Sequence, residues 1–360
     1  MENGITKEQS KCIQGLAILM MLYHHLFSTP EALGIKYKSL LLFGNINVEL
    51  KLAWFFKICV GLYAFVSGYG LYKSFKLGQK DTCSFGERLL TDYKIILKKL
   101  FNLYSVFWLV FIIFVPIGFI FFNKSFEIKE FILGFLGLSN SYNGAWWYIL
   151  QYLKMLLVLP LVDVAFQLYH SKKDRIIWII YLGIAVVAAF ILYLAFPDIF
   201  DTTLQFFQPA FFLCFLMGYV ISRFSLYELF YKLFGQKVMY ILGILGFILV
   251  IAARIKIAKD ASSAGLDFIF VPVFVYGFCV ILCLCRPAVR FFAFFGKYST
   301  IMWLVHVFYY DHYAKGVVMA THFSTGIYLT LLILSVVTAI ILNIVHTRLH
   351  KRVIQITQKN

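Results

Sequence analysis

Long apolar stretches separated by short polar loops are the feature that most constrains this chain. A helix of about 20 apolar residues crosses the roughly 30 Å hydrocarbon core of a bilayer. Only 14% of the residues are charged, against about 25% in soluble domains. The sequence therefore predicts an all-α, polytopic membrane protein of one transmembrane domain, residues 1–360, without an appended soluble domain. About ten transmembrane helices are expected, at residues 12–27, 53–75, 101–122, 146–167, 176–196, 206–223, 238–254, 268–285, 299–313 and 326–346.

Basic residues indicate how these helices are oriented. Loops on the cytoplasmic side of a membrane carry an excess of Lys and Arg. With the N-terminus inside, the inner loops and both chain ends hold about two thirds of the 33 Lys and Arg residues. We therefore expect both termini in the cytoplasm and an amphipathic helix of residues 76–100 on the anionic inner leaflet. No nucleic-acid partner is expected, because the net charge of +16 is not gathered in a basic soluble domain.

The chain does not show the spacings that mark several common catalytic and metal sites. It has no nucleophile elbow, no glycine loop for phosphate and no metal-ligand spacing. Its seven cysteines are odd in number, scattered and without a Cys-x-x-Cys pair. We expect them to act as small apolar side chains, with neither disulfides nor a metal.

Two adjacent histidines interrupt the first apolar stretch, GLAILMMLYHHLF (residues 15–27). An imidazole in hydrocarbon is costly, so such residues usually face a cavity or a partner. Neighbours on a helix point about 100° apart, so His24 and His25 cannot both face one cavity. Histidine is the usual general base at neutral pH, which indicates acid–base chemistry on a hydroxyl. Ser28 and Pro30 follow closely, so two interfacial histidines near a helix end are the alternative.

Small and polar residues also occur in the second and fourth apolar stretches. Ser67, Gly68 and Gly70 either belong to a polar site or permit close helix packing. Trp147 fits an aromatic belt at the membrane interface, and Gln151 continues a polar stripe from it along the helix. With the histidines, these residues predict a buried polar cavity in a helix bundle without naming a reaction.

Six stretches, taken in order along the chain, form a set of membrane-helix motifs. They are IQGLAILMMLYHHLF, VGLYAFVSGYGL, ILKKLFNLYSVFW, AWWYILQYLKMLLVLPLV, PAFFLCFLMGYVISRF and FFGKYSTIMWLVHVF. Together they resemble the acyltransferase 3 family of integral-membrane O-acyltransferases. The similarity covers nearly the whole chain. Each match is weak alone, and their shared order within a ten-helix plan makes the resemblance specific.

The resemblance implies a catalytic residue at His25, with His24 beside it. The basic residue of the family motif, eleven positions earlier, falls on Gln14. Lys11, about one helical turn before it, is therefore the candidate for that charge.

The third-helix motif implies where an acyl donor binds. Its spaced pair of basic residues falls on Lys99 and Asn102, and Lys98 lies beside them. Lysine holds a phosphate as a point charge. Lys98 and Lys99, with Lys11, are therefore the candidates for donor binding.

Further residues are candidates for binding substrate or for stabilising an oxyanion. A hydroxyl or a ring N–H placed beside a thioester oxygen performs the second role. The candidates are Gln14, Ser67, Tyr69, Trp147 and His306.

The activity implied by the resemblance is transfer of an acyl group, most often acetyl, to a hydroxyl. The expected donor is cytoplasmic acetyl-CoA or another acyl-CoA, and the expected acceptor is a cell-surface or lipid-linked glycan. The expected setting is a bacterial plasma membrane, with the lipid bilayer as a further partner. His25 either takes the acceptor's proton or is transiently acylated, and the sequence leaves both routes open.

Two other functions compete with this one. A transporter of a lipid or small solute also needs polar residues inside the membrane, although the chain shows no clear inverted halves or paired broken helices. A glycan polymerase or ligase normally has a large outside loop, whereas the outside stretches predicted here are short.

Overall fold

Helices account for most of the structure, a computed structural model that describes residues 4–31, 34, 37–43, 46–78, 84–168, 175–196, 208–258, 260 and 263–357. The predicted all-α class is confirmed. The β-structure in the described part is an antiparallel pair of two-residue strands, β1 (Leu42–Phe43) and β2 (Ile46–Asn47), and an isolated parallel bridge between Lys38 and Phe323. The helices are α1 (Lys7–Phe27), α2 (Val48–Phe55), α3 (Ile58–Gly78), α4 (Phe85–Phe121), α5 (Ile128–Phe135), α6 (Trp147–Leu168), α7 (Arg175–Ala195), α8 (Pro209–Arg223), α9 (Leu226–Ile257), α10 (Asp267–Leu284), α11 (Arg286–Val307), α12 (Lys315–Met319) and α13 (Ser324–Thr357). A 3-10 turn (Gly144–Trp146) leads into α6, and a π-helix (Phe308–Tyr313) extends α11.

The long apolar helices make this a multi-pass membrane protein. Within the described residues, seven helical stretches are long and apolar enough to cross a bilayer. They are Val48–Gly78, Phe85–Phe121, Gly144–Phe166, Leu226–Ile257, Asp267–Leu284, Arg286–Tyr313 and Ser324–His350. Each of the ten apolar segments predicted from the sequence contains a helix. The number of about ten spans and the side of each terminus stay predictions.

Helix α4 begins well before the third membrane segment expected from the sequence. Where a separate surface helix was predicted over residues 76–100, one continuous helix starts at Phe85. Ser84 and Glu87 form a capping box, in which each side chain accepts a hydrogen bond from the other residue's backbone N–H. No Gly or Pro follows Glu87 until Pro116, so nothing in the chain separates the amphipathic and apolar parts. Residues 79–83 lie outside the described part.

Two glycines bring α1 and α11 into backbone contact. A Cβ on Gly15 would overlap the carbonyl oxygen of Phe292, and a Cβ on Gly296 would overlap that of Lys11. Small residues allow such close approach between membrane helices, where burial of apolar surface gives little driving force. This contact sets the distance between the helix of His25 and the helix of His306.

A second glycine pair joins α3 to α8 in the same way. A Cβ on Gly68 would overlap the carbonyl oxygen of Phe215, and one on Gly218 would overlap that of Phe65. Gly70 has no neighbouring atom within 4 Å of the corresponding position. Of the two glycines weighed in the sequence, Gly68 therefore serves helix packing.

Two pairs of oppositely charged residues lie inside the bundle. Arg254 Nε lies 2.6 Å from Asp267 Oδ1 and joins α9 to α10, with both side chains at most 3% exposed. Arg223 Nη1 lies 3.0 Å from Asp163 Oδ1 and joins α8 to α6. Removing one member of a buried pair leaves an uncompensated charge, which is strongly destabilising. These four residues therefore hold the bundle together.

Candidate active site

A cavity of about 590 Å³ lies between α1, α3, α4, α6, α11 and α13. This volume is in the usual range of small-molecule sites. Among the described residues, none of those that line it is Asp or Glu. Its polar and aromatic lining comprises Gln14, His25, Lys57, Tyr63, Ser67, Lys99, Asn102, Trp147, Tyr148, Tyr152, Lys297, Ser299, Thr300, Trp303, Asn343 and His346.

The two adjacent histidines of α1 point in different directions. His25 lines the cavity. His24 is only 4% exposed, and its Nδ1 donates to the carbonyl oxygen of Ala53 at 2.8 Å, which ties α1 to α2. This is the arrangement expected from the 100° offset between neighbours on a helix, with one ring in the cavity and the other against a neighbouring helix.

A hydrogen-bonded chain fixes the His25 ring. His306 Nδ1 lies 2.8 Å from the carbonyl oxygen of Trp303, and His306 Nε2 lies 2.6 Å from His25 Nδ1. A carbonyl oxygen only accepts, so His306 donates from Nδ1 and, in its neutral form, accepts at Nε2. His25 must then donate from Nδ1, and its own Nε2 carries the lone pair. That nitrogen is left for a ligand in the cavity.

Packing holds the partner histidine in place. His306 is fully buried, and its ring stacks on that of His25 with centroids 4.9 Å apart and planes 16° from parallel. On the same helix, the carbonyl oxygen of Leu304 accepts hydrogen bonds from Asn143 (3.0 Å) and Trp146 (3.1 Å). These bonds attach α11 to the turn before α6. They hold the part of α11 that carries His306 in place.

Two hydroxyl groups meet on the wall of the cavity. Ser67 Oγ lies 2.8 Å from Tyr152 OH. One O–H donates to the other oxygen, so the second O–H is left to donate to a bound ligand. Ser67, a candidate from the sequence, lines the cavity, and its partner Tyr152 was not among the candidates.

The predicted cations divide between the cavity and the surface. Lys99 lines the cavity. Lys98 is exposed and Lys11 is exposed, and neither lines the cavity. Consecutive helix residues face different directions, which separates Lys98 from Lys99. Gln14 lines the cavity, and its backbone carbonyl oxygen accepts a hydrogen bond from Tyr63 OH at 3.1 Å.

Tyr69 does not lie in the cavity, contrary to the role considered for it. Its side chain is 1% exposed, and its OH accepts a hydrogen bond from Ile5 N at 3.0 Å. Lys73 Nζ lies 4.9 Å from the centre of the tyrosine ring and donates to the carbonyl oxygen of Ile5 at 3.0 Å. Tyr69 therefore anchors the start of the chain. His306 does not line the cavity either, and its contact with the site is the hydrogen bond to His25.

The described lining of the cavity includes three lysines, and the sequence did not identify two of them, Lys57 and Lys297. Lys57 interrupts the second apolar stretch, and a charge inside a membrane segment is itself a signal of function. Lys297 falls within the stretch FFGKYSTIMWLVHVF. Of the aromatic lining, Trp147 was a candidate from the sequence. Tyr63, Tyr148, Tyr152 and Trp303 were not, because Tyr and Trp are also enriched where membrane helices meet lipid headgroups.

Comparison with known proteins gives the family. The family model of the acyltransferase domain, Acyl_transf_3, matches residues 9–345, a range that holds His25, His306 and the three cavity lysines. Comparison with curated proteins and with solved structures finds no match. The match extends over nearly the whole chain, in agreement with the resemblance of its six motifs, and so this membrane protein belongs to the acyltransferase 3 family.

Proposed function

We propose that this membrane acyltransferase moves an acyl group, most often acetyl, from acyl-CoA to a hydroxyl of a cell-surface or lipid-linked glycan. The observation that carries the proposal is the position of His25 in the cavity, with its Nδ1 held by the hydrogen-bonded chain to His306 and Trp303. From that chain we infer that His25 Nε2 carries the lone pair. A general base needs a lone pair within reach of the proton that it takes. The cavity around His25 has the volume for a donor arm and an acceptor to meet.

The proposed reaction is direct transfer. The acceptor hydroxyl gives its proton to His25 Nε2 while its oxygen forms a bond to the thioester carbonyl carbon. The tetrahedral intermediate then expels the CoA thiolate as the carbon–sulfur bond breaks, and the thiolate takes the proton from His25. The free O–H of the Ser67–Tyr152 pair donates to the oxyanion.

Lysines in the cavity support the choice of donor. Lys99 on α4 and Lys297 on α11 both line it, and a lysine attracts phosphate as a point charge. Lys297 lies nine residues before His306 on α11, or about 13 Å along the helix. We assign these two lysines to the phosphate end of acyl-CoA and His25 to its thioester end.

The test is acyl transfer by purified protein in lipid nanodiscs, with labelled acetyl-CoA and a set of glycans. His25→Ala should lower the rate by about 10²–10⁴-fold, the usual effect of losing a positioned base. His24→Ala is the matched control, because it removes an adjacent imidazole that faces Ala53 and not the cavity. It should keep substantial transfer activity, or lose activity only together with thermal stability.

Three results would count against the proposal. Equal rates for wild type and a well-folded His25→Ala protein would remove the catalytic assignment. Release of one equivalent of CoA before any acceptor is added, with label retained on the protein, would replace direct transfer by an acyl-histidine route. Movement of a glycan or lipid across the bilayer without acyl transfer would favour the transporter alternative.

A further inference from the structure

Lys57 is a cation in the cavity at the level of the histidines. It lies at the bend between α2 and α3, where its backbone N–H donates to the carbonyl oxygen of Trp54 at 3.2 Å. One turn earlier, Ala53 accepts the hydrogen bond from His24. Lys57 lines the same cavity as His25, so its charge is placed close to the proposed chemistry.

Among the described residues no carboxylate makes a direct ion pair with the Lys57 ammonium, and Asp260 and Asp267 attract it from a greater distance. In the described part of the chain, the ion pairs are those of Arg223, Arg254 and His312, and none includes Lys57. No described lining residue is acidic. Its aromatic neighbour is Trp147, whose ring centre lies 6.0 Å from Lys57 Nζ. A cation inside a membrane domain normally pairs with an anion, so the anion here has to come from a ligand.

The acyl donor does not supply that anion. The charges of acyl-CoA are on its phosphates, while the thioester that must reach His25 is neutral. Lys99 and Lys297 are already available for the phosphates, and Lys297 lies about 13 Å along α11 from His306. The oxyanion formed during transfer is transient and has its own donor in the Ser67–Tyr152 pair. A negative charge that is present before the reaction and pairs with Lys57 therefore belongs to the acceptor.

The wall beside Lys57 suits a sugar. Trp147 lies beside Lys57, and Tyr148 and Trp303 continue the aromatic wall of the cavity, with successive ring centroids 5.5 and 6.0 Å apart. The Trp303 indole N–H donates to the carbonyl oxygen of Ala145 at 3.2 Å. Flat aromatic faces pack against the C–H faces of sugar rings. The combination of aromatic surface and a single ammonium is complementary to a saccharide that carries an acidic group.

We propose that the acceptor is an acidic saccharide whose carboxylate or phosphate pairs with Lys57 while a hydroxyl faces Nε2 of His25. This inference rests on the proposed acyl transfer and adds the class of acceptor to it. Lys57 then determines specificity, and it contributes little to the reaction of acceptors without charge.

The experiment compares methyl glycosides that differ at C6, where methyl glucoside carries a hydroxymethyl group, methyl glucuronide a carboxylate and methyl glucoside 6-phosphate a phosphate ester. Each is tested with labelled acetyl-CoA and protein in nanodiscs. Lys57→Gln removes the ammonium, and Lys57→Arg keeps a cation. Lys51→Gln is the matched control, since Lys51 belongs to α2, does not line the cavity and lies over the ring of Trp54.

The expected result is a change in acceptor KM. Lys57→Gln should raise the KM of the preferred acidic acceptor by about tenfold or more, the effect of one lost hydrogen bond to a charged group. Transfer to methyl glucoside and hydrolysis of acetyl-CoA without acceptor should fall much less than transfer to the acidic acceptor, and Lys57→Arg should restore part of the loss. The carboxylate and phosphate arms show which acid the site takes.

Several outcomes would overturn the inference while leaving acyl transfer intact. One is equal use of methyl glucoside and both acidic acceptors by the wild type. Another is an equal fall in hydrolysis and in transfer to every acceptor in Lys57→Gln, which would assign Lys57 to the thioester oxygen. If no small acceptor is acylated, binding is read from thermal stability. The negative result is then equal stabilisation of the wild type by charged and uncharged sugars, or equal stabilisation of Lys57→Gln and Lys57→Arg by the charged sugar. Failure of the wild type to hydrolyse or transfer from any acyl-CoA would instead contradict the proposed function.

Discussion

His306 determines which ring nitrogen of His25 carries the proton. Two variants of similar size at position 306 test this role. His306→Gln keeps an oxygen that can accept from His25 Nδ1, whereas His306→Leu fills the space without an acceptor. We expect His306→Leu to lower kcat by about 10²-fold or more with little change in donor KM, because the base loses its orientation. His306→Gln should recover part of that activity.

The measurement is kcat and donor KM for both variants, with melting temperatures as the control for folding. Equal activity of the leucine and glutamine variants would show that His306 only fills space. A large rise in donor KM alone would instead place it in the donor site.

Lys99 and Lys98 form a second matched pair at the residue scale. Lys99 lines the cavity and its neighbour is exposed. Lys99→Gln should raise the KM of acetyl-CoA, since a lost contact to a charged group costs about 1–3 kcal/mol. Lys98→Gln should leave it unchanged, although the sequence alone had proposed both lysines. Donor KM for each variant is the measurement, and equal effects would return both residues to a role at lipid headgroups.

Residue roles could be predicted only where local helix geometry decides them. His24 and His25 point about 100° apart because of the helix repeat, and this follows without knowledge of the other helices. Tyr69 and Lys57 could not be assigned, because their roles depend on which helices meet. Tyr69 contacts Ile5, which lies 64 residues earlier in the chain. The residue pattern within one apolar segment does not predict a contact between two such distant segments.

Glycine contacts between helices are the feature to test at the scale of elements. Gly15→Ala places a methyl group against the backbone of Phe292, which cannot move aside as a flexible side chain would. Overpacking of this kind costs about 1–3 kcal/mol, and it should separate His25 from His306. Gly70→Ala is the control, because nothing lies within 4 Å of its added methyl group.

Melting temperature and transfer rate in nanodiscs are the measurements. Gly15→Ala should lower both, and Gly70→Ala should change neither. Two variants with the same properties would show that the α1–α11 contact is looser than described.

Helix positions were predicted better than helix partners. Apolar runs of membrane length identify segments whatever their neighbours, because lipid leaves a single chain segment no other way to satisfy its backbone. The early start of α4 at Phe85 shows the limit of this approach, since a capping box and not hydropathy sets that boundary. The pairing of α1 with α11 and of α3 with α8 depends on single glycines, and many glycines in the chain do not mark such contacts.

Orientation is the prediction that belongs to the whole molecule. The excess of basic residues on one side of the membrane predicts that the C-terminal tail, HKRVIQITQKN, is cytoplasmic. A reporter that is active only in the cytoplasm should work when fused to the tail, and one that needs export should not. Activity of the exported reporter alone would contradict the even number of spans.

Rigid contact at the glycines also limits how the molecule can move. Because backbones touch within the α1–α11 pair and within the α3–α8 pair, each pair shifts as one body. The bodies are joined by fewer fixed points, among them the hydrogen bond from Tyr63 to the backbone of Gln14. A wider opening of the cavity would therefore separate the two pairs from each other and break this hydrogen bond, while the backbone contacts within each pair stay closed.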